Sequence, residues 1–266
     1  MWDFEHAPLS HRLAARYSIS WMFPSECADL LASGAADIGL VPIAALATTP
    51  GLRILPGCTI ASKVRVRSLL LVRRAGQPIS SIGAVAADTA SRTTLAYTRI
   101  LFHKWGNPDV PFLPMAADLD AMLDRADAAI MIGDPALMAL EERANRAERS
   151  GEELIYHDLA EEWYALTGLP FVSAVWGTTF RGVLDEGIAE DFIRSRDHGL
   201  LNIDALVDEW SHKLPLSAET IRSYLTTNIH YVLDEDCVKG MRGFFREAAL
   251  AGVLPKYEFA ANEVVV

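Results

Sequence analysis

Two strand-to-helix joints constrain this chain more than any other feature. Ile82-Gly-Ala-Val-Ala-Ala-Asp88 is a short apolar run that breaks into Thr89-Ala-Ser-Arg-Thr-Thr94 and then a helical pattern over Leu95–Lys104. Ala128-Ala-Ile-Met-Ile-Gly133 breaks in the same way into Asp134-Pro135 and a helical pattern over Ala136–Arg146. The first turn of a helix leaves N–H groups unpaired and carries partial positive charge, so each joint can seat a carboxylate or phosphate. Two such joints predict a cleft for a small acidic molecule.

The 266 residues suffice for one large core or two modest ones. A formal net charge of -11 argues against nucleic acid as a partner, because neutralising phosphates needs clustered Lys and Arg. A small anion is still compatible, since a few local donors outweigh a distant negative surface. Cys27, Cys58 and Cys237 lie far apart with no C-x-x-C, the pattern of small buried hydrophobes in a reducing compartment. The opening Met1-Trp-Asp-Phe-Glu-His has no basic and apolar signal-peptide regions, and Pro42, Thr48 and Pro50 interrupt the best apolar window. The expectation is a cytoplasmic protein with no membrane partner.

Along the chain, Tyr17–Phe23 alternates as a strand and Pro24-Ser25-Glu26 opens a helix to Ser33 with Ser25 at its N-cap. Asp37–Val41, Leu52–Leu55 and Arg67–Val72 are further strands. From Ser81 strands (82–87, 110–114, 127–132) alternate with helices (91–104, 118–125, 135–148), the mark of a parallel sheet covered on both faces. Phe171–Phe180 is the longest strand predicted, and helices at 185–196, 203–212, 218–226 and 235–251 follow. The division is one lobe of 1–76 plus 177–266 with a second, 77–176, inserted into it. Two facing α/β lobes make a cleft.

The Thr89–Thr94 joint holds four hydroxyls and Arg92, more than one helix cap requires. Asp134-Pro135 is ordinary helix punctuation, and its pairing with the first joint is what makes it a candidate. Lys63-Val-Arg-Val-Arg67 sets three cations on one side of an extended segment, serving either a solvated face or an anion. Ser68, at the mouth of an apolar strand, either bonds backbone or faces a ligand. The seven histidines form no H-x-x-x-H or H-x-H pair, so no metal site is predicted. G-x-G-x-x-G, G-x-x-x-x-G-K and G-x-S-x-G are all absent, which removes support for nucleotide binding and for a hydrolase elbow.

Several blocks, in order over about residues 20–180, resemble the chorismate dehydratases of the futalosine route to menaquinone. They include Pro24-Ser-Glu-Cys-Ala, Ala36-Asp-Ile-Gly-Leu-Val-Pro42, Pro56-Gly-Cys-Thr-Ile-Ala-Ser62 and Val66-Arg-Ser-Leu-Leu-Leu71. Asp88–Thr94, Asp118–Leu123, Asp127–Leu137, Glu162-Trp163, Thr167–Phe171 and Ala174-Val-Trp176 complete the set. The resemblance implies a two-lobed α/β fold of the type II periplasmic-binding-protein kind, working as an enzyme without cofactor or metal. The implied reaction is loss of water from chorismate to give 3-[(1-carboxyvinyl)oxy]benzoate. By resemblance Ser68 touches the substrate, and the turn of Ser91, Arg92, Thr93 and Thr94 faces a carboxylate. Gly133, Asp134, Thr167 and Gly168 border the cleft.

One departure stands out. Members of that family open with a strand followed by Asn-x-x-Pro-Leu, whereas this sequence opens at Met1-Trp2-Asp3-Phe4, which resembles the segment just after that Pro-Leu. The expectation is a start at an internal methionine, with the first strand of lobe one missing. The alternative readings are the sister enzyme making 1,4-dihydroxy-6-naphthoate and a non-catalytic cytosolic binder of an aromatic acid.

Overall fold

The computed structural model describes residues 1–88, 91–179 and 186–259. Its strands form two separate sheets. One has four strands in the order β1 (Gly39–Pro42), β8 (Phe171–Thr178), β2 (Arg53–Ser62), β9 (His230–Val232). Every neighbouring pair in it is antiparallel, with Gly39 opposite Gly177 and Ser62 opposite Phe171. The other has five strands in the order β5 (Phe112–Pro114), β4 (Val85–Ala87), β6 (Ala128–Ile132), β3 (Leu69–Arg74), β7 (Leu154–Asp158).

The helices are α1 (Trp2–Glu5), α2 (Leu9–Leu13), α3 (Pro24–Ser33), α4 (Arg92–Lys104), α5 (Leu119–Leu123) and α6 (Asp134–Ser150). After them come α7 (Leu159–Thr167), α8 (Glu186–Leu201), α9 (Ile203–Ser211), α10 (Ala218–Ser223) and α11 (Glu235–Leu250). A 3₁₀ turn covers Ile43–Ala47, and a π turn, Tyr224–Asn228, follows α10 directly.

The α/β class and the two-sheet architecture agree with the sequence reading, but the second sheet is mixed rather than parallel. β4 runs parallel to β5 and β6, whereas β3 is antiparallel to β6 and β7. The reason is where the chain enters. Residues 63–68 arrive from the four-stranded sheet at the end where β4 and β6 finish, so β3 starts there and runs back. The same entry shifts the lobe boundary. Leu69–Arg74 lies in the five-stranded sheet and Phe171–Thr178 in the four-stranded one, so the chain crosses at 63–68 and again over 159–170, not at 76 and 177.

Tyr17–Phe23 forms no strand. It pairs with no sheet edge, and an alternating run becomes a strand only through ladder bonds. Trp21 and Phe23 are 70% and 61% exposed there. α3 begins at Pro24, and Glu26 accepts from the Phe23 N–H at 3.0 Å. β7 and β9 are strands the sequence reading did not place. Of its expectations, Thr89, Phe180 and Asp185 lie outside the described residues.

An aromatic knot joins the two sheets. Tyr97 of α4 stacks on Phe171 of β8 at 3.8 Å and meets Trp163 of α7 at 4.9 Å and Phe244 of α11 at 4.4 Å. All four rings are fully buried. The Tyr97 hydroxyl accepts from the Val172 N–H at 3.3 Å, and Trp163 Nε1 donates to the Pro170 carbonyl at 3.2 Å. Gly240 lets α11 into this contact, because a Cβ there would meet the Pro170 oxygen at 2.6 Å.

Candidate functional site

The register of the five-stranded sheet decides what the site contains. β4 and β6 are parallel with Ala87 opposite Ile130, and β6 opposes β3 with Ile132 opposite Leu69. The carboxyl ends of β4 and β6 and the start of β3 therefore lie at one end of the sheet. Ser68 precedes β3, Ser91 caps the helix after β4, and Gly133 leads into the helix after β6. Three predicted elements thus meet at a single sheet end.

Ser68 is 4% exposed and held from three sides. Its carbonyl accepts from the Gly133 N–H at 2.8 Å, and its Oγ accepts from the Tyr224 hydroxyl at 3.0 Å. The preceding segment rests on Asp158, the N-cap of α7. That carboxylate accepts from the N–H groups of Val66, Arg67, Ala160 and Glu161 at 2.6–3.2 Å. Burial pushes the Asp158 carboxyl up against the lowering effect of those four amides. Arg67 adopts φ +66°, a left-handed conformation uncommon for a residue other than glycine, and Ser68 follows this reversal at the sheet end.

Gly133 has φ +73° and ψ −141°, which an L side chain does not readily adopt. That conformation lets its N–H reach back to Ser68 while its carbonyl accepts from Ala136 and Leu137 at 3.0 and 3.2 Å. Asp134 then starts α6 with Pro135 behind it. Its carboxylate lies close enough to add to burial in raising the Tyr224 hydroxyl, although burial is the larger cause and the Ser68 bond opposes both. Tyr224 stays protonated and acts as a donor.

At the α4 start, Ser91 Oγ accepts from the Thr94 N–H at 3.2 Å, an N-cap of the predicted kind. Thr93 is fully buried and its Oγ1 accepts from the Ala44 N–H at 3.1 Å, tying α4 to the 3₁₀ turn of the other lobe. Thr94 is equally buried, and its Oγ1 has no partner. A buried hydroxyl without a partner is uncommon, and it marks a place where a ligand oxygen or water completes the structure. Arg92 turns away to the Asp29 carboxylate of α3 at 3.0 and 3.1 Å, an exposed inter-lobe pair.

Thr167 and Gly168 are not joined to this group. Thr167 Oγ1 donates to the Trp163 carbonyl at 2.8 Å and accepts from the Leu169 N–H at 3.2 Å, while Gly168 ends α7 at φ +68°. Those bonds account for both residues as a helix stop. Tyr224 is a candidate site residue that the sequence reading did not include. The signal was structural, a π turn at the end of α10, and such turns recur at functional sites.

Among the described residues, one group of metal-ligating type exists: His230, Asp234 and Cys237, whose ligand atoms lie within 4.8 Å of one another. Asp234 there accepts from Lys63 Nζ at 2.7 Å and sits 2.9 Å from His230 Nε2. Burial and the Asp234 charge push the Cys237 thiol up to about 12. The group is a hydrogen-bonded knot at the start of α11.

Comparison with known proteins places the architecture. The chain superposes on an alkanesulfonate-binding protein from Xanthomonas axonopodis pv. citri, bound to MOPS, with a TM-score of 0.66 and 17% identity over 96% of this chain and 91% of that one. A Candida albicans protein with the generic periplasmic binding protein fold aligns with a TM-score of 0.63 and 17% identity over 92% and 84% of the two chains. The fold is that of periplasmic binding proteins. In sequence, the chain is 26% identical over 247 residues to the chorismate dehydratase of Thermus thermophilus, covering 90% of this chain and 89% of that protein. Residues 2–250 match the menaquinone-biosynthesis family, and the chain belongs to it.

Proposed function

We propose that the chain is a hydro-lyase of the futalosine route, converting chorismate to 3-[(1-carboxyvinyl)oxy]benzoate and water. The observation that carries this reading is the Ser68–Tyr224 hydroxyl pair, set at the sheet end where α4 and α6 begin. The chorismate dehydratase relative supports the choice of substrate. In the reaction a ring C–H bond and the neighbouring C–OH bond break, the proton and hydroxide leave as water, and the ring becomes aromatic. Aromatisation supplies much of the driving force. The protein therefore has to bind a dianion, orient the proton and assist the departing oxygen.

The first-turn amides of α4 and the Thr94 hydroxyl receive one carboxylate. Ser68 accepts from Tyr224, which leaves its own proton free for the substrate. In this scheme Ser68 orients the enolpyruvyl carboxylate, and that carboxylate takes the ring proton. Fixing the two reacting groups supplies up to ~7–11 kcal/mol of the barrier. The test is incubation of the purified chain with chorismate while the benzoate product is followed. Ser68→Ala is expected to reduce turnover about 10²–10³-fold. Saturable binding without product would identify a binder, and full turnover by Ser68→Ala would remove that residue from the mechanism.

A further inference from the structure

On the outer side of the 63–68 crossing lies a cavity of about 770 Å³, bounded also by the middle of α6 and the π turn. Its walls carry the cations Lys63, Arg65, Arg67 and Arg143 against the single carboxylate of Glu141. In a chain of net charge -11, this is a concentrated reversal of sign. It shares no residue with the Ser68, Thr94, Gly133 and Tyr224 group.

Lys63 is committed to Asp234 at 2.7 Å, whereas the three arginines are held in ways that leave them available. Arg65 reaches Glu161 at 2.7 and 3.0 Å, but both side chains are about half exposed, and Glu161 does not line the cavity. Arg67 reaches Glu141 at 2.8 Å. The exposed Arg65–Glu161 pair contributes only about 0–1 kcal/mol, so a multiply charged guest displaces it at little cost. Arg143 forms no ion pair among the described residues. The wall is also built: Asn228 is 7% exposed, its Nδ2 donates to the Arg65 carbonyl at 3.2 Å, and its Oδ1 is buried without a partner.

We infer that this cavity is a second binding site, for a compact polyanion bearing phosphoryl or several carboxylate groups. Two of its walls are direct continuations of the candidate active site, since Arg67 precedes Ser68 and Asn228 ends the π turn that Tyr224 begins. An anion drawn onto Arg67 and Arg143 thus bears on the segments that hold the Ser68–Tyr224 pair. The site goes beyond the dehydratase reading and does not depend on it.

The experiment is calorimetric titration of the full chain with inorganic pyrophosphate and, separately, with citrate, in the absence of chorismate. One-to-one binding that weakens with added salt is expected. Arg65→Gln with Arg143→Gln should weaken it about tenfold or more, since each guanidinium contributes charge-assisted bonds. Arg143→Gln alone, on an exposed helix face, gives an intermediate loss and serves if the double variant unfolds. Ser68→Ala should bind both probes as the unsubstituted chain does. Absence of saturable binding, binding unchanged in both arginine variants, or loss of binding in Ser68→Ala would each overturn the second site.

Discussion

Ser68 shows how much of a site is made by residues that never touch a ligand. Its position depends on the positive φ of Arg67, on the Asp158 carboxylate that gathers the Val66 and Arg67 amides, and on the reach of the Gly133 N–H. Tyr224→Phe removes one hydrogen bond without opening a void. The expected stability loss is about 0.5–1.5 kcal/mol, and under the proposed reaction the turnover of chorismate should fall far more than that loss explains. Measuring chemical denaturation beside turnover separates the two effects, and turnover equal to that of the unsubstituted chain would dismiss a role for Tyr224. Gly133→Ala forces a Cβ into a backbone conformation at φ +73°. A destabilisation of about 1–3 kcal/mol follows, visible as a lowered thermal midpoint. An unchanged midpoint would mean that the turn relaxes.

Elements are joined here chiefly by aromatic rings. Tyr97, Trp163, Phe171 and Phe244 come from α4, α7, β8 and α11, so one knot fastens helices of the five-stranded sheet to a strand of the other. Trp163→Ala should cost about 3–5 kcal/mol through lost burial and the cavity left behind. Urea unfolding gives the number, and a loss below about 1 kcal/mol would deny the knot its part in stability. The starts of α4 and α5 were readable in advance because their chemistry is local, whereas α3 is capped at Phe23 and not at Ser25. Ser91 and Asp118 cap α4 and α5 as single side chains accepting a nearby N–H, at 3.2 and 3.0 Å. The strand read at Tyr17–Phe23 failed for the complementary reason, since a ladder needs a partner that alternation alone cannot provide.

Across the whole molecule, acid should loosen the crossing. Asp234 accepts from Lys63 of the 63–68 segment and from the Cys237 N–H at the start of α11, and it contacts His230 of β9. Burial by itself would raise this carboxyl, but the bonds from Lys63 and Cys237 outweigh it and hold the group well below the usual carboxylate range. A folded value below the unfolded one means that the stabilisation is complete above the ordinary carboxylate range. It is lost as pH falls through the folded value. Asp234→Asn should therefore lower the urea midpoint at about pH 5 and lower it less at about pH 3. An equal deficit at both pH values would show that the charge of Asp234 is not what matters.

The sequence by itself determined the α/β class, most helix positions and the two helix-start joints, because periodicity, caps and turn residues act over a few neighbours. It also brought out Ser91–Thr94 and Gly133 as candidates, since each stands at a break between an apolar run and a helix, while Ser68, at the mouth of an apolar strand, was singled out by the family resemblance. Tertiary structure alone decided the rest. The direction of β3 depends on where the 63–68 crossing enters, so neither the mixed sheet nor the lobe boundary is written in any short window. Tyr224 meets Ser68 across 156 residues, and the cations of 63–67 meet Arg143 in one cavity. Such meetings follow from sheet register and helix docking, which depend on the whole buried core rather than on any local run of residues.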